Sequence, residues 1–218
     1  MNTKRITFWL GFVVIIGLII WGLVVAMNKT PNSTSKIGVP APVTSSDNVE
    51  GSSSARVTLI EYGDFQCPAC STYAFYVERL FNEASSTMRV VFRHFPLSQH
   101  PNAIPAARAA EAAGVQGKFW DMYRLLYANQ SDWSEKTIAE AKIIIDGYAK
   151  GLGLDMVRFA SDDISTTTID KIMAQEAEGQ KIGIVHTPTF FVNGREVNPN
   201  TYEEFKTIID AALSGTAE

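Results

Sequence analysis

Apolar and polar residues alternate over residues 57–62, which predicts a β-strand. Glu61 falls on the same face of this strand as Val57 and is the polar member of that face. After a short break, apolar residues recur at helical spacing as far as Ala84, and residues 88–95 are again rich in Val and Phe. Strand, helix and strand in this order predict a right-handed βαβ unit with parallel strands.

A helical block follows this unit. From Asn102 to about Ser161, Ala, Leu, Ile, Tyr and Trp recur at helical spacing, and residues 164–182 predict one more long helix. The folded part of the chain is therefore expected to belong to the α/β class, with a run of helices between its two strand-forming regions.

The last part of the chain returns to strand residues. Residues 189–192 predict a strand, and the Asn193-Gly194 pair that follows is typical of a type I′ turn. Residues 195–197 should therefore form the antiparallel partner. We expect Asn200 to cap a closing helix, with Glu203 in the capping-box position.

The N-terminal region differs in character from the rest. Residues 6–27 contain no charged residue, and a helix of this length spans roughly 33 Å at about 1.5 Å per residue, enough to cross a bilayer. Lys4 and Arg5 precede it, which favours a cytoplasmic N-terminus. Residues 1–27 are thus predicted to be a cytoplasmic tip and transmembrane signal-anchor, with a cleavable signal peptide as the alternative.

Two further segments complete the predicted organisation. Residues 28–54 are rich in Ser, Thr, Pro, Asn and Gly, which predicts a disordered linker. Residues 55–218 are long enough for one folded domain and carry 15 Lys and Arg against 21 Asp and Glu. Because no basic stripe is present, nucleic acid is not an expected partner.

The candidate chemistry lies in the sequence Cys67-Pro68-Ala69-Cys70, which holds both cysteines of the chain. The motif falls where the first strand has ended and the first helix begins. Unpaired N–H groups at a helix N-terminus stabilise a thiolate, so Cys67 is predicted to be the nucleophile. Cys70, one turn deeper, is predicted to resolve a mixed disulfide formed at Cys67.

Other interpretations of the cysteines are weaker. A structural disulfide between residues this close would constrain a very short loop and stabilise little. A zinc site would need His94, His100 or His186 as further ligands, and none has ligand spacing. Two inert core cysteines would not usually flank a proline at such a corner. No metal or cofactor is predicted, and His186 is expected to be a turn or surface residue.

The succession of a strand, the CxxC motif, a second strand, helices, a Thr-Pro pair, a hairpin and a final helix resembles the thioredoxin-like fold. The helical block at about 102–162, with the runs 61–70 and 93–97, is similar to the DsbA-like family of exported thiol:disulfide oxidoreductases, whose membrane-anchored members share this layout. The resemblance covers about residues 55–215. It implies a thioredoxin-like α/β fold with an inserted all-helical subdomain, preceded here by the transmembrane helix and flexible linker.

The resemblance also assigns roles to individual residues. Cys67 and Cys70 match the redox-active disulfide, and Glu61 matches the buried acid that moves the proton of the second cysteine. The alternative for Glu61 is a solvated strand glutamate. Thr187-Pro188 matches a loop with a cis X-Pro bond opposite the disulfide, and an ordinary trans proline is the alternative. Pro68, Ala69 and this loop would then contact the substrate.

The implied function is donation of the Cys67–Cys70 disulfide to reduced exported proteins. A membrane partner resembling DsbB or vitamin K epoxide reductase would reoxidise the cysteines. The catalytic domain would lie outside the cytoplasm at the cell membrane, or be secreted if the N-terminal segment is cleaved. Pro-Ala between the cysteines departs from the Pro-His of strongly oxidising members, so a reductase or isomerase remains an alternative, as does a tethered peptide-binding module without redox activity.

Overall fold

The computed structural model describes residues 16, 17, 21 and 37–215. Residues 16, 17 and 21 are helical and exposed, and the rest of the predicted transmembrane segment, residues 6–27, lies outside the described residues. Within the described part of the chain, none of the helices has the length and apolar character that crossing a bilayer requires.

One mixed sheet, with strand order β1-β3-β2-β4-β5, forms the centre of the domain in residues 37–215. Its strands are β1 (Asn48–Glu50), β2 (Val57–Gly63), β3 (Met88–His94), β4 (Thr189–Val192) and β5 (Arg195–Val197). Strands β2 and β3 are parallel, and the other neighbouring strands in the sheet are antiparallel. The parallel pair confirms the predicted βαβ unit.

Helices of the described residues cover the sheet and form the insertion. They are α1 (Pro68–Ala84), α2 (Ala103–Val115), α3 (Phe119–Ala128), α4 (Gln130–Trp133), α5 (Ile138–Gly151), α6 (Met156–Asp163), α7 (Thr166–Ile182) and α8 (Tyr202–Ser214). Helices α2 to α6 lie between β3 and α7 in the chain, as the predicted helical insertion requires. The α/β thioredoxin-like architecture with a helical insertion is therefore confirmed.

The two faces of the sheet belong to different apolar clusters. Val57 and Leu59 of β2 pack with Phe205 of α8, whereas Ile60 and Tyr62 pack in a second cluster with Phe191. This alternation follows from the period of two in a β-strand. A third cluster, which fills the insertion, also includes Cys67, Cys70 and Phe92, so the core of the insertion continues up to the CxxC motif.

The hairpin is confirmed and the cap of the closing helix is corrected. Asn193 and Gly194 have φ angles of 49° and 82°, the positive values that a type I′ turn needs. The N-cap of α8 is Thr201, not Asn200 as predicted, because Thr201 is extended and its hydroxyl accepts the N–H of Glu204. Asn200 instead donates its own N–H to the Glu204 carboxylate at 2.8 Å.

The predicted disordered linker, residues 28–54, is wrong for residues 37–54. Strand β1 pairs with β3, and Gly38 N–H donates to the carbonyl of Ile182 at 2.7 Å. Residues 28–36 lie outside the described residues. The segment from residue 37 joins the domain through backbone and polar contacts with distant residues, which low local hydrophobicity does not reveal.

A buried ion pair fixes this segment. The Arg93 guanidinium donates to the Asp47 carboxylate at 2.9 and 3.1 Å and to the carbonyl of Ala41 at 3.0 Å. The side chains of Arg93 and Asp47 are only 4% and 6% exposed. Removing one member of such a pair leaves the other charge buried without its partner, which is strongly destabilising.

We therefore expect Asp47→Ala to lower the free energy of unfolding by about 3 to 5 kcal/mol. Chemical denaturation measures this change. Asp146→Ala is the matched control, because Asp146 forms an exposed pair with Lys142, and it should change stability by less than about 0.5 kcal/mol. Equal, small effects of the two substitutions would show that residues 37–50 do not belong to the cooperative unit.

Candidate active site

Helix α1 begins at the CxxC motif. Pro68 is its first residue, a position that suits proline because the N–H there has no partner within the helix. Cys67 is the extended N-cap residue, and its side chain makes no cap hydrogen bond. Pro68 and Ala69 are exposed, as expected for residues that meet a substrate.

The two cysteines are free thiols at different depths. Cys67 is 6% exposed, whereas Cys70 is fully buried beneath it. The Cys67 sulfur lies 3.4 Å from the carbonyl oxygen of Thr187. Cys67 is thus the more accessible of the two cysteines, and Cys70 has no exposed surface.

Local contacts favour the thiolate form of Cys67. A hydrogen bond from the Cys70 thiol lowers its pKa most, and the backbone N–H groups of Cys70 and Ala69 add to this, so that the pKa falls to about 5 although burial opposes the shift. These N–H groups are the unpaired donors of the helix N-terminus. The nucleophile predicted from the sequence therefore has a matching environment.

Cys70 has the opposite environment. Burial raises the pKa of its thiol well above 9, and the hydrogen bond to Cys67 and the charge of Glu61 act in the same direction. Cys70 therefore stays protonated and donates to Cys67. Before Cys70 can attack a mixed disulfide, its proton must pass to an acceptor.

Glu61 is buried next to this pair. It is 0% exposed and lies between Phe92 and Phe190 in the register of the sheet. Burial raises its pKa to about 8, the hydrogen bond from Tyr123 lowers it, and the nearby charge of Cys67 raises it. The alternative of a solvated strand glutamate does not describe this residue.

The Thr187-Pro188 peptide bond is cis, and Thr187 is buried against Cys67. His186, just before it, is exposed. A groove of about 230 Å³ runs beside this loop and is lined by Tyr73, His186, Thr187, Pro188, Phe190, Val197, Asn198, Pro199 and Asn200. The structure thus brings together all the residues assigned from the sequence: Glu61, Cys67, Pro68, Ala69, Cys70, Thr187 and Pro188.

The sequence reasoning missed Asp64, whose carboxylate shapes the loop before the motif. It accepts the backbone N–H of Gln66 at 2.7 Å and that of Leu97 at 2.9 Å, and it contacts His100 Nδ1 at 2.7 Å. The carboxylate is fully buried. The available signal was an acidic residue directly after a buried strand and just before the cysteines.

Residues of the insertion hold the same loop from the other side. Gln130 donates its side-chain amide to the carbonyls of Phe65 at 2.7 Å and Cys67 at 3.0 Å. Gln66 donates to the carbonyl of Ser134 and accepts the N–H of Asn102 at 2.6 Å. The insertion therefore helps to set the position of Cys67.

The three histidines lie in separate places. His94 contacts Glu111 at 2.8 Å, His100 contacts Asp64, and exposed His186 lies near Thr189. Within residues 37–215 and the few described residues before them, no group of His, Cys, Asp and Glu is arranged to hold a metal ion.

Comparison with known proteins gives a family match over most of the chain. Residues 44–211 match the family model described as Thioredoxin. A Na(+)/H(+) antiporter NhaA 1 of Salinispora arenicola is 39% identical over 173 residues, which are 78% of this chain and 25% of that relative. NhaA 3 of Salinispora tropica is 40% identical over 151 residues, 68% of this chain and 22% of the relative. The chain thus spans about a quarter of these relatives' length.

Solved structures give the same fold. Oxidised BdbD from Bacillus subtilis has a TM-score of 0.68 at 22% identity, covering 83% of this chain and all of that one. Alpha-DsbA1 from Wolbachia pipientis has a TM-score of 0.71 at 20% identity, covering 80% and 94%. A thioredoxin-like oxidoreductase from Silicibacter pomeroyi has a TM-score of 0.66 at 25% identity, covering 78% and 94%. The chain therefore belongs to the thioredoxin family, and its fold with a helical insertion is that of the DsbA-like proteins.

Proposed function

We propose that this domain introduces disulfides into reduced exported proteins through its Cys67–Cys70 couple. The observation that carries this is the arrangement of the two sulfurs. Cys67 lies at a helix N-terminus against Thr187 and keeps slight exposure, and Cys70 is fully buried and donates a hydrogen bond to it. This arrangement suits a thiol that exchanges with a client and a thiol that is protected from it.

The reaction begins with the disulfide form. A substrate thiolate attacks the Cys67 sulfur, the bond between Cys67 and Cys70 breaks, and Cys70 leaves with the electron pair and takes a proton from Glu61. A second substrate thiol, after losing its proton, attacks the mixed disulfide and releases Cys67 as a thiolate. The substrate loses two electrons and gains a disulfide, and the cysteine pair is reduced.

The environment of Cys67 supports electron flow in this direction. A stabilised thiolate at Cys67, with a pKa of about 5, favours the reduced pair relative to the disulfide. A disulfide whose reduced form is stabilised is a better oxidant, and a thiolate of low pKa leaves a mixed disulfide faster. The contacts that lower this pKa come from Cys70, Thr187 and Ala69, so histidine between the cysteines is not needed for a stabilised thiolate.

The proposed setting is the outer side of the cell membrane, with residues 1–27 as the anchor and a DsbB-like or vitamin K epoxide reductase-like membrane partner as reoxidant. The uncharged stretch of residues 6–27 supports this. The relatives NhaA 1 and NhaA 3 are named Na(+)/H(+) antiporters. The antiport activity in that name belongs to those proteins.

Two other functions are separated from this one by direct tests. A reductase or isomerase would keep Cys67 and Cys70 reduced in intact cells, whereas a disulfide donor would keep them oxidised, and alkylation of the free thiols distinguishes the two. A peptide-binding module would use the groove at Thr187 and Pro188 and would keep its function after both cysteines were replaced.

We expect Cys67→Ser to abolish oxidation of a reduced, unfolded substrate, because the attacking substrate thiol loses its target. Cys70→Ser should also fail to oxidise the substrate, because it cannot form the Cys67–Cys70 disulfide, but with a disulfide-containing substrate it should accumulate mixed disulfides at Cys67, because the thiol that would resolve them is gone. Substrate oxidation and non-reducing gels measure these outcomes. Ala128→Ser, at an exposed position of α3, is the control and should retain activity. Full oxidase activity of the Cys67→Ser protein would rule out the proposal.

The raised pKa of Glu61 predicts a pH-dependent stability. Its pKa is about 8 in the folded protein and 4.5 as the ordinary value, so the folded state binds this proton more tightly. Stability is therefore lost as pH rises from about 4.5 to 8. Glutamine has no proton to lose, so Glu61→Gln should not show this decrease in stability. The unfolding free energy of Glu61→Gln should therefore rise relative to that of the unmodified chain by about 1.4 kcal/mol per pH unit over this range.

Denaturation of both proteins in the same redox state measures this difference, since the contributions of the cysteines then cancel. The matched control is Glu135→Gln, at an exposed position between α4 and α5. A stability difference between Glu61→Gln and the unmodified chain that stays constant from pH 4.5 to 8 would contradict the assignment.

A further inference from the structure

The two carboxylate oxygens of Glu61 have different surroundings. Oε2 accepts a hydrogen bond of 3.1 Å from the hydroxyl of Tyr123, which lies on α3 of the insertion. Oε1 is buried, and among the described residues it has no hydrogen-bond partner. A buried carboxylate oxygen in this state is costly unless it binds a proton, because it has lost its hydration.

The other titratable groups around Glu61 offer it no further hydrogen bond among the described residues. Cys67, the N-cap residue of α1, and Cys70 within α1 lie near it, and α3 brings Tyr123 and Tyr127. The Tyr127 hydroxyl is buried and has no partner in the described part of the chain.

Neighbouring strands add no charge that pairs with Glu61 in the described residues. Its register partners, Phe92 and Phe190, are apolar. His94, farther along β3, is bonded to Glu111. Tyr123 is therefore the donor that fixes this carboxylate.

Gly63 leaves room beside the unpartnered oxygen. A Cβ atom at this position would lie 3.0 Å from Glu61 Oε1 and 2.4 Å from a ring carbon of Phe92. Gly63 is the last residue of β2, directly before the loop that leads to the cysteines, so the unpartnered Oε1 lies beside the residue from which the chain continues to the motif. Oε2 is held by Tyr123, a residue of the insertion.

We propose that Tyr123 is a positioning residue for proton transfer: its hydroxyl holds Glu61 Oε2 and so leaves Oε1 free to exchange a proton with Cys70. This inference rests on the proposed function of the CxxC motif. The insertion thereby takes part in the chemistry of a thiol that belongs to the thioredoxin core.

Oxidation of the reduced protein by glutathione disulfide includes this proton transfer. The Cys67 thiolate attacks one sulfur of glutathione disulfide, a mixed disulfide forms, and one glutathione thiolate leaves. Cys70 then passes its proton to Glu61, and the resulting thiolate attacks the Cys67 sulfur. The second glutathione thiolate leaves, so the cysteine pair loses two electrons and glutathione disulfide gains them.

Tyr123 affects the second of these steps. A hydrogen bond to the charged form of a carboxyl group lowers its pKa, and Tyr123 lowers the pKa of Glu61 in this way. Without it, Glu61 holds its own proton to a higher pH. Fewer molecules then have a carboxylate ready to accept the proton of Cys70 at pH 7.

The test is stopped-flow oxidation of the reduced protein by excess glutathione disulfide, in which closure of the Cys67–Cys70 disulfide is the unimolecular phase. Its rate is measured against pH for the unmodified chain, Tyr123→Phe and Tyr127→Phe. Tyr127→Phe is the matched control, because it removes an equally buried hydroxyl four residues later in the same helix.

Tyr123→Phe should move the midpoint of this pH profile upward by about one unit and slow closure at pH 7 by about tenfold. Tyr127→Phe should leave the midpoint in place. An unchanged midpoint in Tyr123→Phe, or an equal shift in both variants, would overturn the proposal.

A further variant separates this inference from the proposed function. In Glu61→Gln, the rate of Cys67–Cys70 disulfide closure should lose the pH dependence whose midpoint Tyr123→Phe shifts. If the rate keeps its pH profile in Glu61→Gln, the proton-transfer role of Glu61 and the positioning role of Tyr123 are both overturned. Failure of the protein to oxidise exported substrates would leave closure by glutathione disulfide measurable, and would count against the proposed function alone.

Replacement of Tyr123 with 3-fluorotyrosine gives a test that keeps the hydrogen bond and the shape of the core. The fluorinated phenol is a stronger donor, so the midpoint should move downward. This variant decides the matter if Tyr123→Phe does not fold, because an unchanged or raised midpoint would contradict the proposal.

Discussion

The site depends on the position of the Cys67 sulfur at the first turn of α1. There the thiolate meets the N–H groups of Ala69 and Cys70, which lack partners within the helix. The side chain of Cys67 has no competing cap bond, and Pro68 suits the first helical position. The Asp64 carboxylate and the Gln130 amide fix the loop that leads into this turn, so the sulfur is held in place before any substrate arrives.

Burial gives Cys70 and Glu61 a preference for the protonated form, whereas Cys67 favours the thiolate. Cys70 and Glu61 lie where water does not reach, and both favour their neutral forms. A thiol and a carboxyl group that each hold a proton tightly are suited to exchange it between them. The helical insertion creates this dry environment with the aromatic residues of α3, and it also supplies the donor that contacts Glu61.

Local sequence patterns predicted the features that depend on neighbouring residues. The cysteines at the start of α1 and the Asn193-Gly194 turn follow from short motifs, and both are where the sequence placed them. The resemblance to a known family brought in Glu61 and the cis bond before Pro188, which no short motif would have shown.

Short sequence patterns could not predict contacts between residues that are distant in the chain. Asp47 and Arg93 are 46 positions apart, and nothing in the polar segment around Asp47 shows that it joins the sheet. Tyr123 and Glu61 are 62 positions apart, and the aromatic pattern of α3 indicated only a buried helix face. The closing helix begins one residue later than expected, because either of two adjacent polar side chains could have capped it and backbone geometry selected Thr201.

The most direct test of this account is the titration of the Cys67 thiolate, followed by its ultraviolet absorbance in the reduced protein, with Cys67→Ser as the baseline. The account predicts a midpoint near a pKa of about 5. A midpoint near the ordinary cysteine pKa of about 8.5 would show that the helix N-terminus and Cys70 do not stabilise this thiolate, and would contradict the central claim.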